Sequence, residues 1–463
     1  MHTQQTRRRR LLAAFTSCAL VLAGLGLYAP ARAAAAPAGA SSPAKPSAPA
    51  ASARPATPDA PAAPEAPTQA SDMLPIVFVH GYLGSGAQYR TQAMRFASNG
   101  WPAERIRAID YAGTSAPGLD AFIDQVRQEF GVSQVYVAAH SLGTAIMLGY
   151  LLNPTQSGKV RAYAALDGVG ALCIWGTRCT SISASSMSQS HVEASTSAES
   201  FRRQFQHFVG RAPTTSNVVA EPADQVRIAG RALDFTTNAA AQGATGQVWE
   251  VNNTTGHRVG TTPVATFNVG ADGNFGPIRV NGTRRYEIAI ARSGVPTVHY
   301  YYQPFTRTSL VLRLQTLAAG SPIVANTNRG PNHSVAVALR YREWWSTGNT
   351  RDTLQVSTSS PAGNQPATNV LSQLTSNAIC GIHLHDNTAT PRQTSLAALS
   401  YFSSQPFQTG IDVYMPASPT QPLGTITFVN APRGDTARQQ RIAVPNWPST
   451  NDASLVEFND YVQ

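Results

Sequence analysis

The chain has 463 residues, 42% of them hydrophobic, which is enough to bury two or three cores and excludes a single small domain. Only 13% are charged, about half the usual share, so the surface relies on Ser, Thr, Asn, Gln and Gly, as suits an extracellular protein. The formal charge of +10 falls to +5 once the five arginines before residue 34 (Arg7, Arg8, Arg9, Arg10 and Arg32) are set aside, and with no dense Lys/Arg stripe later on, nucleic acid is excluded as a partner class.

In chain order, "RRRR" precedes the apolar "LLAAFTSCALVLAGLGLYA" and then Ala31-Arg32-Ala33, the layout of a secretory signal, so residues 1–33 are expected to be removed on export. The arginine pairs also permit the twin-arginine route. No stable transmembrane segment is expected after cleavage. Residues 34–71 are almost wholly Ala, Pro, Ser and Thr, too poor in apolar bulk to order themselves, and read as a linker or a spacer from a cell wall. At "LPIVFVHGYLGSGAQYRTQAMRFASNGW" a buried strand (74–79) runs through a glycine-rich turn into an amphipathic helix. The alternation repeats with "RIRAIDYAG", "GLDAFIDQVRQEFG", "QVYVAAHS", "LGTAIMLGYLL" and "VRAYAALDG", as strand, helix, strand, helix and strand. Short apolar runs between helical patterns imply a mainly parallel sheet covered on both faces, an α/β fold, for residues 72–215.

Within that frame, Ala139-His140-Ser141-Leu142-Gly143 matches the G-x-S-x-G nucleophile elbow with alanine in the first place, at a strand-to-helix junction. A serine hydroxyl needs a histidine to take its proton and a carboxylate to hold that histidine, in the chain order Ser, acid, His. Between Ser141 and His191 the only acid is Asp167. His191 lies on a polar loop ahead of a helix capped by Thr196 or Ser197, whereas His207 sits inside the helix "FRRQFQHF" and reads as surface or packing. His191 is therefore the base, and His140 is expected to shape the elbow. The oxyanion donors are read as the N–H of Leu142 and, from the "HGYLGSG" turn, of Tyr82. This chemistry calls for neither cofactor nor metal: His383 and His385 in "HLHD" share a strand face but lack a third ligand nearby.

"VFVHGYLGSG", "AAHSLG", "ALDG" and "SHVEASTSAESFRRQFQHFVGRAP" together resemble the secreted two-domain lipases of the α/β-hydrolase superfamily, a bacterial and archaeal group with a compact catalytic domain and a β-rich C-terminal domain. The resemblance covers most of the chain from residue 72 onward. It implies a triacylglycerol lipase or carboxylesterase acting on lipid or another hydrophobic ester, with the triad on Ser141, Asp167 and His191 and a C-terminal domain that helps bind acyl chains or a lipid surface. Ala139 is the visible departure from the motif. The rival readings are a polyester esterase, a cell-envelope acyltransferase, and a non-catalytic surface-binding protein.

After residue 215 the pattern becomes short strands between turns: "QVRIAGRALDF", "GQVWEVNN", "TTGHRVG", "ATFNVGADGNFGPIRVNGTRRYEIAIAR" and "VHYYYQPF", with a second series from "GIDVYMPASPTQPLGTITFVNAP". Period-two alternation with Asp-Gly and Asn-Gly turns predicts a β-sandwich or barrel region, accessory to the catalytic part and comprising two β modules, for residues 216–463. The aromatic runs "HYYYQPF" (299–305) and "YREWW" (341–345) read either as core or as ligand contacts. Of the cysteines beyond the signal, Cys173 and Cys179 bracket "IWGTR" just after Asp167 and are expected to form a disulfide, leaving Cys380 buried and free.

Overall fold

The computed structural model describes residues 73–317, 321, 327–345, 351–374, 378–396, 401–402 and 405–461, all within one compact unit, Gln69–Gln463. The expected signal (1–33) and linker (34–71) lie outside the described residues.

Five strands, β1 (Ile76–Val79), β2 (Ile106–Ile109), β3 (Val135–His140), β4 (Val160–Leu166) and β5 (Arg178–Ile182), form a sheet in the order β2-β1-β3-β4-β5. Every neighbouring pair is parallel. The helices are α1 (Arg90–Ser98), α2 (Leu119–Glu129), α3 (Leu142–Leu151), α4 (Pro154–Ser157), α5 (Glu193–Thr196) and α6 (Ala198–Val209). Residues of α1 and α6 share a core cluster with one face of the sheet, and residues of α2 and α3 with the other, which is why the central strands are apolar at nearly every position. In α6 the spacing of Phe201, Phe205 and Phe208 puts all three rings on one buried stripe around Phe96, each contributing roughly 1.5–3 kcal/mol by burial. Its start is fixed by Ser197, whose side chain accepts from the Ser200 N–H, and its end by Gly210 at φ 84°. The sequence pattern did not announce β5, because this edge strand, "RCTSI", buries only Ile182.

The remaining strands are β6 (Arg227–Asp234), β7 (Thr245–Val251), β8 (Ala265–Asn268), β9 (Asn274–Arg279), β10 (Arg285–Ala291), β11 (Thr297–Tyr302) and β12 (Ser309–Thr316), followed by β13 (Val335–Leu339), β14 (Thr353–Ser359) and β15 (Gln365–Asn369). After these come β16 (Gly381–His385), β17 (Thr394–Leu396), β18 (Gln408–Val413), β19 (Thr425–Ala431), β20 (Gln440–Pro445) and β21 (Asp452–Glu457). They make a nine-stranded mixed sheet, β17-β18-β16-β13-β21-β11-β10-β7-β8, flanked by a three-stranded sheet, β12-β6-β9, and an antiparallel four-stranded sheet, β15-β14-β19-β20. The two expected β modules thus share one sheet, because β21 pairs in parallel with β11 on one edge and β13 on the other.

Strand periodicity also resolves the run "HYYY". Tyr301 faces the core cluster that includes β14, β19 and β20, while Val298, Tyr300 and Tyr302 face the cluster that includes β6 and β12, so the sheet is buried on both sides here. These tyrosines are core residues. "TTGHRVG", expected as a strand, instead begins as a turn: Asn252 Oδ1 accepts from the N–H groups of Thr254 and Thr255, and only a single bridge, Val251 to Arg258, follows. The Cys173–Cys179 disulfide is present and ties the crossover after β4 to β5, and Cys380 is free and buried.

Candidate active site

Three strand ends converge at one edge of the parallel sheet. At the end of β3, Ser141 adopts φ 52° and ψ −121°, a conformation that L-residues avoid, and α3 begins at the next residue. Such a bend needs small neighbours. A Cβ on Gly143 would lie 2.6 Å from the His80 carbonyl oxygen and 2.7 Å from that of Val79, and one on Gly168 would lie 2.6 Å from the Ser141 carbonyl oxygen. Ala139 is fully buried between Val79 and Ala165 on the adjacent strands, where its methyl is accommodated.

Asp167 follows β4 directly, at φ 40°. Its Oδ1 accepts from the Ala184 N–H at 2.7 Å and its Oδ2 from His191 Nδ1 at 2.6 Å. With Nδ1 donating, His191 Nε2 is the acceptor for the Ser141 hydroxyl at 2.9 Å. Burial alone would raise the Asp167 pKa, but the hydrogen bonds from His191 and Ala184 outweigh it and hold the carboxyl below its ordinary value. The three residues singled out from sequence are therefore brought together. His207 is not among them: it lies on α6 with Nε2 against the Arg178 carbonyl at 3.3 Å.

His140, whose ring lies against Gly81 beside the bend, also bridges two further segments. Its Nδ1 accepts from Gln88 Nε2 at 2.8 Å, and its Nε2–H donates to the His191 carbonyl at 2.9 Å. Burial, reinforced by the neighbouring His191, pushes its pKa down to about 3, so it stays neutral in this bridging tautomer. Gln88 also donates to Ser195 Oγ at 2.6 Å, which ties the turn after β1 to α5. Leu142, as the first residue of α3, carries an N–H with no intrahelical acceptor. Tyr82 follows Gly81, where an added Cβ would lie 3.0 Å from Ser141 Cβ, and the Gly84 N–H to Gly81 carbonyl bond closes the turn around it.

Residues from the β-rich part reach the same place. Phe407 stacks on the His191 ring at 5.9 Å between centroids, and Tyr341 lines the cavity that Ser141 and His191 open into. That cavity measures about 140 Å³, and Val335, Val337, Leu339 and Leu455 form much of its apolar wall. His383 lines it too, its Nε2 against Gln408 Oε1 at 3.3 Å. Of "YREWW", Trp344 is core and Tyr341 is wall. Gln88 and Phe407 carried no sequence signal, since each acts through contacts far away in the chain. Among the described residues no helix is long and apolar enough to cross a membrane.

Residues 224–319 match the family model described as "Lipase C-terminal domain", and residues 322–462 match a second model described as a C-terminal domain. Similar solved structures include an extracellular α/β-hydrolase from a Paenibacillus species, 14% identical over 21% of this chain and 42% of that one, with a TM-score of 0.18. An epoxide hydrolase from Vigna radiata is 23% identical over 22% of this chain and 35% of its own, with a TM-score of 0.17. The propeptide form of a Bacillus licheniformis lipase is 10% identical over 82% of this chain and 94% of its own, with a TM-score of 0.22. The first two matches thus span less than half of those proteins. The stretch matched by the "Lipase C-terminal domain" model, residues 224–319, contains β6 to β12.

Proposed function

We propose that the protein is a secreted carboxylic-ester hydrolase, a triacylglycerol lipase with an α/β-hydrolase catalytic domain at residues 72–215 and an acyl-enzyme mechanism. The observation that carries this reading is the unbroken hydrogen-bond line from Asp167 through His191 to Ser141, opening on an apolar cavity. His191 Nε2 takes the Ser141 proton as Oγ attacks the ester carbonyl. The N–H groups of Tyr82 and Leu142 hold the oxyanion of the tetrahedral intermediate. His191 then protonates the departing alcohol, and water deprotonated by the same nitrogen hydrolyses the acyl-enzyme. Asp167 fixes the tautomer and stabilises the imidazolium. The apolar wall favours a hydrocarbon acyl chain, and the Cys173–Cys179 disulfide favours an oxidising, extracellular compartment.

A chain-length series of p-nitrophenyl esters, run on the wild type, Ser141→Ala and Asp167→Asn, tests the reading. The expected result is hydrolysis by the wild type and losses on the order of 10³-fold or more in both variants. Absence of hydrolysis across the series would sink the enzyme reading. Hydrolysis of only the shortest esters of the series would redirect it from a lipase to a short-chain carboxylesterase.

A further inference from the structure

The peptide unit that follows His191 is gripped at both of its polar ends. Its carbonyl, on His191, accepts from His140 Nε2, and its N–H, on Val192, donates to Glu343 Oε1 at 2.6 Å. The same Glu343 carboxylate accepts two more donors through Oε2, the Glu193 N–H at 3.1 Å and Ser190 Oγ at 2.6 Å. One buried carboxylate thus binds the residue before His191 and the two after it, from 150 or more positions away in the chain.

Glu343 is itself held rigidly. Arg340 Nη2 donates to the Glu343 carbonyl at 2.6 Å and also bonds the Asp352 carboxylate, and the next residue, Trp344, is fully buried beneath the Arg340 guanidinium. Two neighbouring contacts run the same way: Thr196 Oγ1 donates to the Tyr341 carbonyl at 2.9 Å, and Arg342 pairs with Glu193 at 2.6 Å. The segment 341–343 therefore lies along the segment 190–196 as a fitted strip. A stability role alone leaves unexplained why all three side-chain acceptor contacts converge on the residues flanking the imidazole.

We propose that Glu343 is a positioning residue for His191, so that a residue of the β-rich part sets the geometry of the proton-transfer base. The proposal rests on the hydrolase reading above. Glu343 touches neither ester nor serine; it holds the peptide from which the imidazole projects, and a displacement of about 1 Å at the base costs on the order of 100-fold in rate. A carboxamide in its place keeps the shape but presents an NH₂ donor to a group of donors, leaving one oxygen where the loop needs two.

The test uses the full-length protein with Glu343→Gln, Glu343→Asp and, as a variant that removes only one donor from a part-exposed loop, Ser190→Ala. On p-nitrophenyl butyrate, Glu343→Gln should lose roughly 100-fold in kcat with KM changed less than about twofold. Its rate of inactivation by a fluorophosphonate should fall by the same factor. Glu343→Asp, a carboxylate too short to reach both amides, should recover part of the rate, and Ser190→Ala should lose about fivefold. The low-field proton resonance of His191 Nδ1–H, bonded to Asp167, should broaden or disappear in Glu343→Gln. Kinetics within threefold of wild type together with an unchanged resonance would overturn the proposal, as would a rate loss matched by an equal rise in KM. If Glu343→Gln does not fold, wild-type kinetics in Ser190→Ala overturn it. If the wild type neither hydrolyses esters nor reacts with fluorophosphonate, the hydrolase reading fails, and the resonance alone decides whether Glu343 orders the imidazole.

Discussion

Replacing Asp110 by asparagine tests how the α/β part and the β-rich part are joined. The Asp110 side chain is fully buried and accepts from Arg313 Nε at 2.8 and 2.9 Å, from Arg231 Nη1 at 2.8 Å and from the Gly86 N–H at 2.8 Å. Arg313, on β12, is nearly as buried, and its Nη2 reaches the Ala108 carbonyl of β2 at 2.9 Å. The Asp110→Asn change would leave that guanidinium without its counter-charge, a loss of about 3–5 kcal/mol. Unfolding entropy of about 2.1 cal/mol/K per residue, over the roughly 400 residues of the Gln69–Gln463 unit, converts this to a fall of about 4–6 °C in the thermal midpoint. Asp110→Asn combined with Arg313→Met should cost less than the sum of the single changes, by about 1–3 kcal/mol, because the pair is removed together.

The pH dependence of that difference has a definite sign. Burial would raise the Asp110 pKa, but the charge and hydrogen bonds of Arg313, with Arg231 and the Gly86 N–H, outweigh it and depress it below the ordinary carboxylate value. A depressed carboxylate contributes its stability above the unfolded pKa of about 3.9 and loses it as pH falls through the folded value. The gap between wild type and Asp110→Asn should therefore be constant above about pH 5 and narrow below about pH 4. Calorimetry and urea titration of the four proteins measure it. A single-variant loss below about 1 kcal/mol, or strict additivity in the double variant, would refute the reasoning.

Gly143→Ala should disable the elbow, because its Cβ would meet two backbone carbonyls that cannot yield; a stability loss of about 1–3 kcal/mol with fluorophosphonate labelling of Ser141 abolished is expected, and normal labelling would count against it. His299 is fully buried, which would lower its pKa, yet Asp452 at 3.0 Å and Glu287 at 2.7 Å raise it above 6.5. Its stabilisation is complete below the unfolded value near 6.5 and is lost as pH rises through the folded one, so His299→Gln should flatten the fall in stability on the alkaline side of pH 6.5, as read by urea midpoints across pH.

The parallel sheet and the elbow were legible because their signals are local. A buried strand, a sharp turn and a buried helix each leave a pattern within about ten residues, and Asp167 stood out as the lone acid between Ser141 and His191. The supporting side chains left none. Glu343 reaches Val192 across 151 positions and Gln88 reaches Ser195 across 107; "YREWW" stood out for its aromatic residues and not for Glu343, and Gln88 lies in no motif that marks it. His140 was visible beside the serine, but its bond to the His191 carbonyl was not, since it depends on where the 184–193 loop folds back. The β-rich part was legible as strands but not as sheets, because register between strands this far apart is set by packing rather than by hairpin turns.

The placement of β21 makes the wall of the cavity depend on the far end of the described chain. Strand 452–457 is the seam of the nine-stranded sheet, and Ala453, Ser454 and Leu455 are cavity wall. Immediately beyond it, Asn459 accepts from Arg90 on α1 across 369 positions of sequence. Without β21, β11 and β13 would each lose the partner strand on that side, and the cavity beside Ser141 would lose three of its wall residues. The cavity therefore draws its wall from both ends of the folded unit, from Gly81 to Leu455, and a chain cut short before Ala453 would lose part of that wall together with the strand that joins the two halves of the sheet.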